Sequence, residues 1–241
     1  MPKSSVFKFK EFDIRQDQSI MKVNTDGVLL GAWSNVAFKE HALDIGTGTG
    51  VIAIMIAQKN YAITVKGIEI DAASCHQAKL NMKNSPFSDR LEAIHISLQQ
   101  YALQSTAKFD LLISNPPFFT GGIHSTNENK ANVRHTIKLS HHDLLCSAKQ
   151  LLTKDGHFDL ILPYTEGLKF VELAQKFDLY LNSMTSVRSR QDKQIERILL
   201  RFGWKRITNI NEKELIVYSG QAANDYTADF IEITKIFYLN M

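Results

Sequence analysis

The chain has 241 residues, of which 44% are hydrophobic and 22% are charged, and its formal net charge is +3. This composition fits a soluble globular protein with one main core, and we expect a single domain over 1–241. No apolar run approaches the roughly 18 residues that a membrane helix needs, and the basic start "MPKSSVFKFK" lacks the apolar stretch of a secretion signal. We therefore predict a cytoplasmic protein without membrane contact.

Cysteine and histidine usage gives no sign of a disulfide or a metal. Cys75 and Cys146 are the two cysteines, and each stands in a helical pattern far from the other. The pair His141 and His142 reads most simply as a loop leading into a helix. We predict neither a disulfide nor a metal site.

The first 24 residues are predicted to form a short β extension before the core at 25–241. In "VFKFKEFDI" (6–14) aromatic and apolar residues alternate with charged ones, which is typical of a half-buried strand or hairpin. In "TDGVLLGAW" (25–33) Thr25 is predicted to be the N-cap of an apolar helix.

From residue 41 onward, short apolar runs alternate with helical stretches, which predicts a parallel α/β sheet covered on both faces. After residue 177, the runs 179–187 and 194–202 have no helix between them, so we predict an antiparallel pair at the sheet edge. A strand near 214–219 and a helix at 226–238 follow. The other predicted strands are 42–45, 64–70, 91–96, 109–113 and 157–162, and the other predicted helices are 49–59, 72–84, 141–153 and 165–177.

A glycine-rich loop is predicted to bind a cofactor. In "LDIGTGTG" (43–50), Gly46, Gly48 and Gly50 lie between the first parallel strand and its helix. The dinucleotide fingerprint needs its third glycine where this chain has Val51, and Asp44 would repel a pyrophosphate but attract a cation. Spacing and charge therefore favour S-adenosyl-L-methionine, with its sulfonium and amino groups, over a nicotinamide dinucleotide.

A carboxylate ends the next predicted strand, in "GIEID" (67–71). Glu69 stands where the ribose of an adenosine would lie in this architecture, and a carboxylate can accept both ribose hydroxyl protons. Asp71 is the alternative, although its place before "AASCHQA" also suits a helix N-cap. We favour Glu69.

The motif "SNPPF" (114–118) follows the apolar run "FDLLI" (109–113). Proline has no backbone donor and restricts the residue before it, so two prolines make a rigid exit from a buried strand. One interpretation is a purely structural strand exit with a buried ring. The other is an active site in which Asn115 and the carbonyl of Pro116 accept the two protons of an amine.

Taken together, "LDIGTGTG", "GIEID" and "SNPPF" resemble the class I S-adenosylmethionine-dependent methyltransferases that methylate amino groups. The segments "FKFKEFDIRQDQSIMKVNTDGVLLGAW", "DLLISNPPF", "RHTIKLS" and "FYLNM" are similar to the bacterial tRNA1(Val) (adenine-N6)-methyltransferases, and the similarity spans essentially the whole chain. The resemblance implies a Rossmann-like fold with a seven-stranded, mostly parallel sheet, an antiparallel edge strand and helices on both faces. It also implies S-adenosyl-L-methionine as cofactor and methylation of the adenine 3′ of the anticodon in a tRNA, with no metal and no obligate protein partner.

Residue roles follow from the same resemblance. Catalysis is implied for Asn115, Pro116, Pro117 and Phe118. Two positions depart from the family pattern, because Ser97 replaces a common acidic residue and Phe118 stands where tyrosine is common. Cofactor binding is implied for Lys22, Thr25, Asp26, Asp44, Gly46, Gly48, Gly50, Glu69, Ser97, Leu98 and Asn115.

The rigid strand exit formed by Asn115, Pro116 and Pro117, here called the proline elbow, suits the chemistry of an adenine amine. The lone pair of that amine is delocalised into the ring. Two acceptors that hold its protons favour a pyramidal nitrogen, and the prolines fix their aim. Phe118 would then offer a stacking face for the base, and the polar stretch 119–140 could close over it.

Basic residues are concentrated in 186–206, which has seven against two acidic ones. Charge by itself indicates only weakly a surface that faces phosphate. We predict RNA contacts at Lys8, Lys10, Arg188, Arg190, Lys193 and Arg197.

Three other functions stay open at this point. A protein-glutamine N5-methyltransferase would suit the same elbow, because an amide nitrogen is also delocalised. A non-catalytic RNA-binding protein with a methyltransferase fold is the second alternative, and a nicotinamide oxidoreductase is the third.

Overall fold

Short apolar runs form two β-sheets in the computed structural model, which describes residues 6–117, 139–222 and 224–241. β1 and β2 pair as an antiparallel hairpin, and the remaining strands form one sheet in the order β10-β8-β9-β7-β6-β3-β4-β5. The strands are β1 (Val6–Lys8), β2 (Asp13–Arg15), β3 (His41–Ile45), β4 (Thr64–Glu69), β5 (Leu91–His95), β6 (Phe109–Ser114), β7 (Leu152–Pro163), β8 (Tyr180–Arg188), β9 (Arg197–Gly203) and β10 (Asn211–Ile216).

The α/β class with a mostly parallel sheet is confirmed, but the predicted strand count is wrong. Within the described residues the large sheet has eight strands, because β10 pairs parallel to β8 and extends the sheet. The antiparallel strand β9 lies between β7 and β8, not at the edge. The antiparallel pairing of the two runs after residue 177 is confirmed.

Apart from the last, the predicted helices begin and end within two residues of the predicted bounds. An additional helix, Leu98–Gln104, lies in a sequence with little apolar periodicity, which explains why the pattern does not predict it. The predicted helix at 226–238 is reduced to seven residues. The helices are α1 (Thr25–Trp33), α2 (Val51–Lys59), α3 (Ala72–Lys83), α4 (Leu98–Gln104), α5 (His141–Leu151), α6 (Tyr164–Gln175) and α7 (Ala228–Thr234).

Asn24, and not Thr25, is the N-cap of α1. Asn24 is in an extended conformation, and its side-chain oxygen accepts a hydrogen bond from the backbone N–H of Gly27 at 2.9 Å. Both residue types cap helices, and Asn is somewhat preferred. The prediction for Thr25 is therefore wrong by one position, and Thr25 is the first helical residue.

Helices cover both faces of the sheet and enclose two buried clusters. One cluster joins the β1–β2 hairpin with α1, α2, α3 and α7, through residues such as Ile14, Leu29 and Phe230. The other joins α4, α5 and α6, through residues such as Leu145 and Phe170. Each strand of the sheet centre is thus apolar on both sides, as expected for parallel strands.

The strand register aligns three carboxyl ends at one edge of the sheet. Ile45 at the end of β3 lies opposite Ile68 of β4 and opposite Ser114 of β6. Ser114 also donates a hydrogen bond from its hydroxyl to the carbonyl of Ile45 at 2.9 Å. The segments that follow β3, β4 and β6 therefore meet at this edge, where α/β proteins bind ligands.

Lys10 ties the two chain ends together. Its backbone N–H donates to the carbonyl of Phe237 at 2.8 Å, and its ammonium group donates to the carbonyls of Lys235 and Met241 at 2.5 and 2.6 Å. A lysine engaged with the carbonyls after a helix stabilises that helix end. These contacts give Lys10 a role inside the protein.

A buried ion pair connects β7 with β9. The carboxylate of Asp159 is fully buried and accepts two hydrogen bonds from Arg201, both at 2.7 Å. The guanidinium carbon of Arg201 also lies 4.9 Å from the ring centre of Trp33, at the end of α1. Burial would by itself raise the pKa of Asp159, but Arg201 and His157 hold that pKa below its ordinary value. Burial lowers the pKa of His157 to about 4.

Arg201→Met is expected to lower the free energy of unfolding by about 3–5 kcal/mol, because it leaves a buried carboxylate without its partner. Urea unfolding at pH 7 measures the change. Lys205→Met is the control, since Lys205 pairs with Asp155 in an exposed position and should change stability little. Equal stability of the two variants would contradict a structural role for the buried pair.

Candidate active site

The glycine loop after β3 is held against β4 by its backbone. Gly46, Gly48 and Gly50 have positive φ angles of 72°, 56° and 83°, a conformation that favours glycine. The N–H groups of Gly46 and Thr47 both donate to the carbonyl of Ile68, at 2.9 and 3.0 Å. A Cβ atom at Gly67 of β4 would lie 2.8 Å from the hydroxyl oxygen of Thr47, so β4 needs a glycine there for the loop to approach.

Asp44 lies directly below this loop and is fully buried. Thr47 donates its hydroxyl hydrogen to one carboxylate oxygen of Asp44 at 2.6 Å, while the other oxygen, Oδ1, has no partner in hydrogen-bonding geometry among the described residues. The pKa of Asp44 is raised to about 7, mainly by burial; the Thr47 hydroxyl and the nearby N–H of Ala53 oppose this shift, and the charge of Glu69 contributes to it. The site therefore has a buried acid that a nearby cation would help to ionise.

Glu69 projects from the end of β4 and is fixed by two backbone groups. Its two oxygens accept hydrogen bonds from the N–H groups of Gly48 and Asp71, each at 2.9 Å. Each oxygen keeps a further lone pair for a ligand. Asp71 instead caps α3, because its side chain accepts from the N–H of Ser74 at 2.7 Å. The geometry thus separates the two acids as the sequence suggested, and the ribose role of Glu69 stays a prediction.

Asn115 follows β6 and faces the start of α1. The residue is 8% exposed, and its side-chain oxygen Oδ1 has no hydrogen-bond partner in the described part of the chain. A Cβ atom at Gly27 would lie 3.9 Å from the side-chain nitrogen of Asn115, so the first turn of α1 packs closely against it. Pro116 is buried and Pro117 is exposed, whereas Phe118 and most of 119–140 lie outside the described residues.

The first turn of α1 carries an ion pair that the sequence pattern does not predict. Arg197 at the start of β9 donates from Nε to a carboxylate oxygen of Asp26 at 2.9 Å. The family resemblance implies a cofactor role for Asp26, and the basic stretch predicts an RNA contact for Arg197. Neither predicts that the two residues pair, because they are 171 positions apart in the sequence. Lys22 and Thr25, beside this pair, are exposed.

Ser97 and Leu98 begin α4, next to the end of β5. The Ser97 hydroxyl oxygen accepts a hydrogen bond from the N–H of Gln100 at 3.2 Å and so caps α4. The side chain of Leu98 is buried in the core. Ile70, which is absent from the predicted site, is 39% exposed directly after Glu69 and offers an apolar contact to a flat ring. The sequence feature that could have indicated this residue is an isoleucine between two acids at the end of a strand.

Most of the predicted RNA-binding residues make internal contacts. Arg188 pairs with Glu214, and Arg190 donates to the carbonyl of Gly220 at 3.0 Å. Lys193 lies 3.9 Å from Asp192, whereas the side chain of Lys8 makes no hydrogen bond or ion pair within the described residues. The predicted basic surface is therefore largely neutralised by neighbouring groups.

Among the described residues there is no group of three His, Cys, Asp or Glu side chains that could hold a metal ion. None of the helices in these described residues combines the length and the apolar character that a membrane span requires.

Asp44→Asn is expected to change how stability depends on pH. Because burial raises the pKa of Asp44 to about 7, the folded protein keeps a proton that the unfolded chain releases near pH 4. Stability from this group is therefore lost as pH rises from about 4 to 7, by up to about 1.4 kcal/mol per pH unit. The Asp44→Asn variant lacks this loss, so its free energy of unfolding should increase relative to that of the wild type as pH rises.

Urea unfolding at pH 5, 6, 7 and 8 tests this dependence. Asp89→Asn is the control, because its side chain is 76% exposed. Parallel pH profiles for the wild type and Asp44→Asn would show that Asp44 is not a buried acid with a raised pKa.

The fold agrees with solved methyltransferase structures. A predicted O-methyltransferase from Agrobacterium tumefaciens superimposes with a TM-score of 0.67 at 15% identity, covering 88% of this chain and 96% of the other. A glycopeptide N-methyltransferase in complex with S-adenosyl-L-methionine gives a TM-score of 0.56 at 11% identity, covering 76% of this chain and all of the other. At such identities the likeness concerns the fold.

Sequence comparison carries the assignment further. Residues 24–186 match the family model described as the methyltransferase small domain. A tRNA1(Val) (adenine(37)-N6)-methyltransferase from Flavobacterium johnsoniae is 36% identical over 98% of this chain and all of its own length. One from Actinobacillus pleuropneumoniae serotype 7 is 38% identical over the whole of both chains. The chain therefore belongs to the tRNA1(Val) (adenine(37)-N6)-methyltransferase family.

Proposed function

We propose that this protein transfers a methyl group from S-adenosyl-L-methionine to the N6 amine of the adenine 3′ of the anticodon in tRNA1(Val). Full-length relatives named for this reaction support the substrate. One observation supports the proposed reaction, namely two buried acceptor atoms at the edge of the sheet. Oδ1 of Asp44 and Oδ1 of Asn115 both lack a hydrogen-bonded donor in the described part of the chain. The positive charge of the cofactor would stabilise the Asp44 carboxylate, and an amine would donate a hydrogen bond to Asn115.

The donor set at the sheet edge fits a cofactor with an adenosine part and an amino acid part. Glu69 keeps lone pairs for two ribose hydroxyls, and Ile70 offers an apolar surface beside them. Asp44 favours positive charge, and Asp26 would receive an ammonium group. When bound, S-adenosyl-L-methionine supplies a methyl group made electrophilic by its sulfonium.

Asn115 is proposed to act on the adenine amine. Its buried Oδ1 and the carbonyl oxygen of Pro116 would accept the two N–H hydrogens and turn the nitrogen lone pair away from the ring. An amine held in this way would direct its lone pair at the methyl group that the cofactor would supply, with the thioether as leaving group. The positively charged nitrogen would then release one proton to solvent, so no strong base would be needed. Phe118, outside the described residues, is proposed as the stacking face.

A base in the anticodon loop is a reasonable target, because it is less stacked than a base in a duplex and costs less to extrude. We propose that Lys8 and Lys193 contact the RNA backbone, since their ammonium groups have few competing partners. Arg188, Arg190 and Lys10 are weaker candidates because of their internal contacts. A tRNA substrate also supports a cytoplasmic location, and we propose that 1–241 acts as one domain.

Asn115→Ala is expected to keep cofactor affinity within about threefold but to lower methylation of tRNA by at least about a hundredfold, because the amine loses its main acceptor. Calorimetry with S-adenosylhomocysteine measures binding, and transfer of labelled methyl groups to tRNA measures turnover. Asn84→Ala is the control, since Asn84 is exposed after α3. Unchanged turnover would refute the role of Asn115.

The substrate is tested with the wild type and three acceptors: tRNA1(Val), the same tRNA with guanine in place of the adenine 3′ of the anticodon, and a release factor. Nucleoside analysis should find N6-methyladenosine in the first acceptor and in neither of the others. Transfer confined to the release factor would support the protein-glutamine alternative and reject an RNA substrate. Absence of transfer to all three would support a non-catalytic binding protein.

Lys8→Gln and Lys193→Gln are each expected to weaken tRNA binding and to reduce its dependence on salt. Each phosphate contact that is lost should lower the slope of log affinity against log salt by about 0.7–0.9. Filter binding between about 50 and 200 mM salt measures the slope. Lys149→Gln, which removes an ion pair with Asp178, is the control. A slope equal to that of the wild type would exclude a phosphate contact at the changed position.

A further inference from the structure

Arg197 lies at the same edge of the sheet as Asn115. It begins β9 and pairs in register with Pro163, the last residue of β7, which is the neighbour of β6. Two strand spacings, about 10 Å, therefore separate it from the strand that ends before Asn115. Arg197 thus stands within reach of the cofactor site without belonging to the loops that form it.

The Asp26–Arg197 pair is held in a defined orientation. Nε of Arg197 donates to Oδ2 of Asp26 at 2.9 Å, and Nη1 donates to the carbonyl of Glu196 at 3.0 Å. The two side chains of the pair are 16% and 30% exposed, so water only partly screens it. Asp26 precedes Gly27, which packs against Asn115. Arg197 therefore occupies one of the two carboxylate oxygens of Asp26.

A second arginine on β9 anchors the other end of the same helix. Residues four apart in a strand share a face, so Arg201 projects on the side of Arg197. Arg201 contacts Trp33, the last residue of α1, and is itself fixed by the buried Asp159. The span from Arg197 to Arg201 is about 13 Å along the strand and that from Asp26 to Trp33 about 10 Å along the helix. β9 therefore holds α1 at both ends.

The far end of α1 has an additional support. The ammonium group of Lys59 donates to the carbonyls of Gly31 and Ala32 at 3.2 and 2.6 Å, and also to the carbonyl of Ser34. Lys59 and Arg201 therefore fix the far end of α1, and Arg197 pairs with Asp26 in its first turn. This pairing gives that carboxylate a fixed direction.

We propose that Arg197 is a positioning residue for the cofactor, which holds the carboxylate of Asp26 so that its second oxygen receives the ammonium group of the amino acid part. This inference rests on the proposed function, because it requires S-adenosyl-L-methionine in the site. It reassigns Arg197 from the RNA surface to the cofactor site. It also explains why the acid and the arginine, 171 residues apart, pair next to Gly27, which packs against Asn115.

Binding of two ligands to the wild type and to Arg197→Met tests the proposal. S-adenosylhomocysteine has the amino acid part, and 5′-methylthioadenosine has the same adenosine and thioether without it. Arg197→Met should weaken S-adenosylhomocysteine about tenfold in calorimetry and change 5′-methylthioadenosine less than about twofold. Equal weakening of both ligands would mean that Arg197 supports the whole site structurally, and would overturn the proposal.

A double-mutant cycle with Asp26→Asn separates positioning from direct contact. In the Asp26→Asn background, the further change Arg197→Met should weaken S-adenosylhomocysteine less than about twofold, because the carboxylate to be held is gone. A full tenfold loss in that background would show that Arg197 binds the ligand itself and would overturn the positioning role. Arg197→Lys should recover part of the affinity, and Lys205→Met, beyond the other end of β9, should leave it unchanged.

The same measurements distinguish this inference from the proposed reaction. If the wild type binds S-adenosylhomocysteine but does not methylate tRNA, the RNA substrate is rejected and the binding cycle still decides the role of Arg197. If the wild type binds neither ligand, the cofactor proposal and this inference are both rejected. Retained binding of 5′-methylthioadenosine by each variant shows that the site is folded.

Discussion

The parallel register of β3, β4 and β6 is the constraint on which the site depends. It brings the ends of three strands that are distant in sequence to one edge, where hydrogen bonds join the segments that follow them. The glycine loop donates two hydrogen bonds to the carbonyl of Ile68, Gly48 donates to Glu69, and Ser114 donates to the carbonyl of Ile45. A shift of one residue in any of these pairings would turn the side chains to the other face. The core that fixes the register therefore also fixes the distances between the functional groups.

The sequence could predict which residues stand at the ends of the strands. Positive φ angles require the three loop glycines, and a strand-end acid and an Asn-Pro-Pro exit have few structural explanations in that order. The α/β class follows from alternating apolar runs. Local patterns were less informative where two residues compete for one role, as Asn24 and Thr25 do for the cap of α1, or where a polar strand such as β10 extends an edge.

The basic stretch at 186–206 shows what a count of charges leaves out. Its five arginines are close together in the sequence, yet three of them pair with acids that the fold brings from elsewhere in the chain. Arg201 meets Asp159 in the core, Arg197 meets Asp26 at the site, and Arg188 meets Glu214 on the neighbouring strand. Sequence separation hides such partners, whereas pairing of strands reveals them. Arginines on a strand of a sheet that is covered by helices can therefore be engaged in contacts within the protein and not be available to a ligand.

The two buried acceptors make the site costly for the unliganded protein. A buried oxygen without a donor forfeits the hydrogen bonds it would make to water, at about 1–3 kcal/mol each. The packing of α1 against Asn115 and the desolvation of Asp44 are maintained because the cores on both faces of the sheet outweigh that cost. Ligands that bring a cation and an amine recover it, so part of the stability that the fold gives up returns as binding free energy. The unpaired acceptor atoms that lower the stability of this edge of the sheet are thus the same atoms that would bind the ligands.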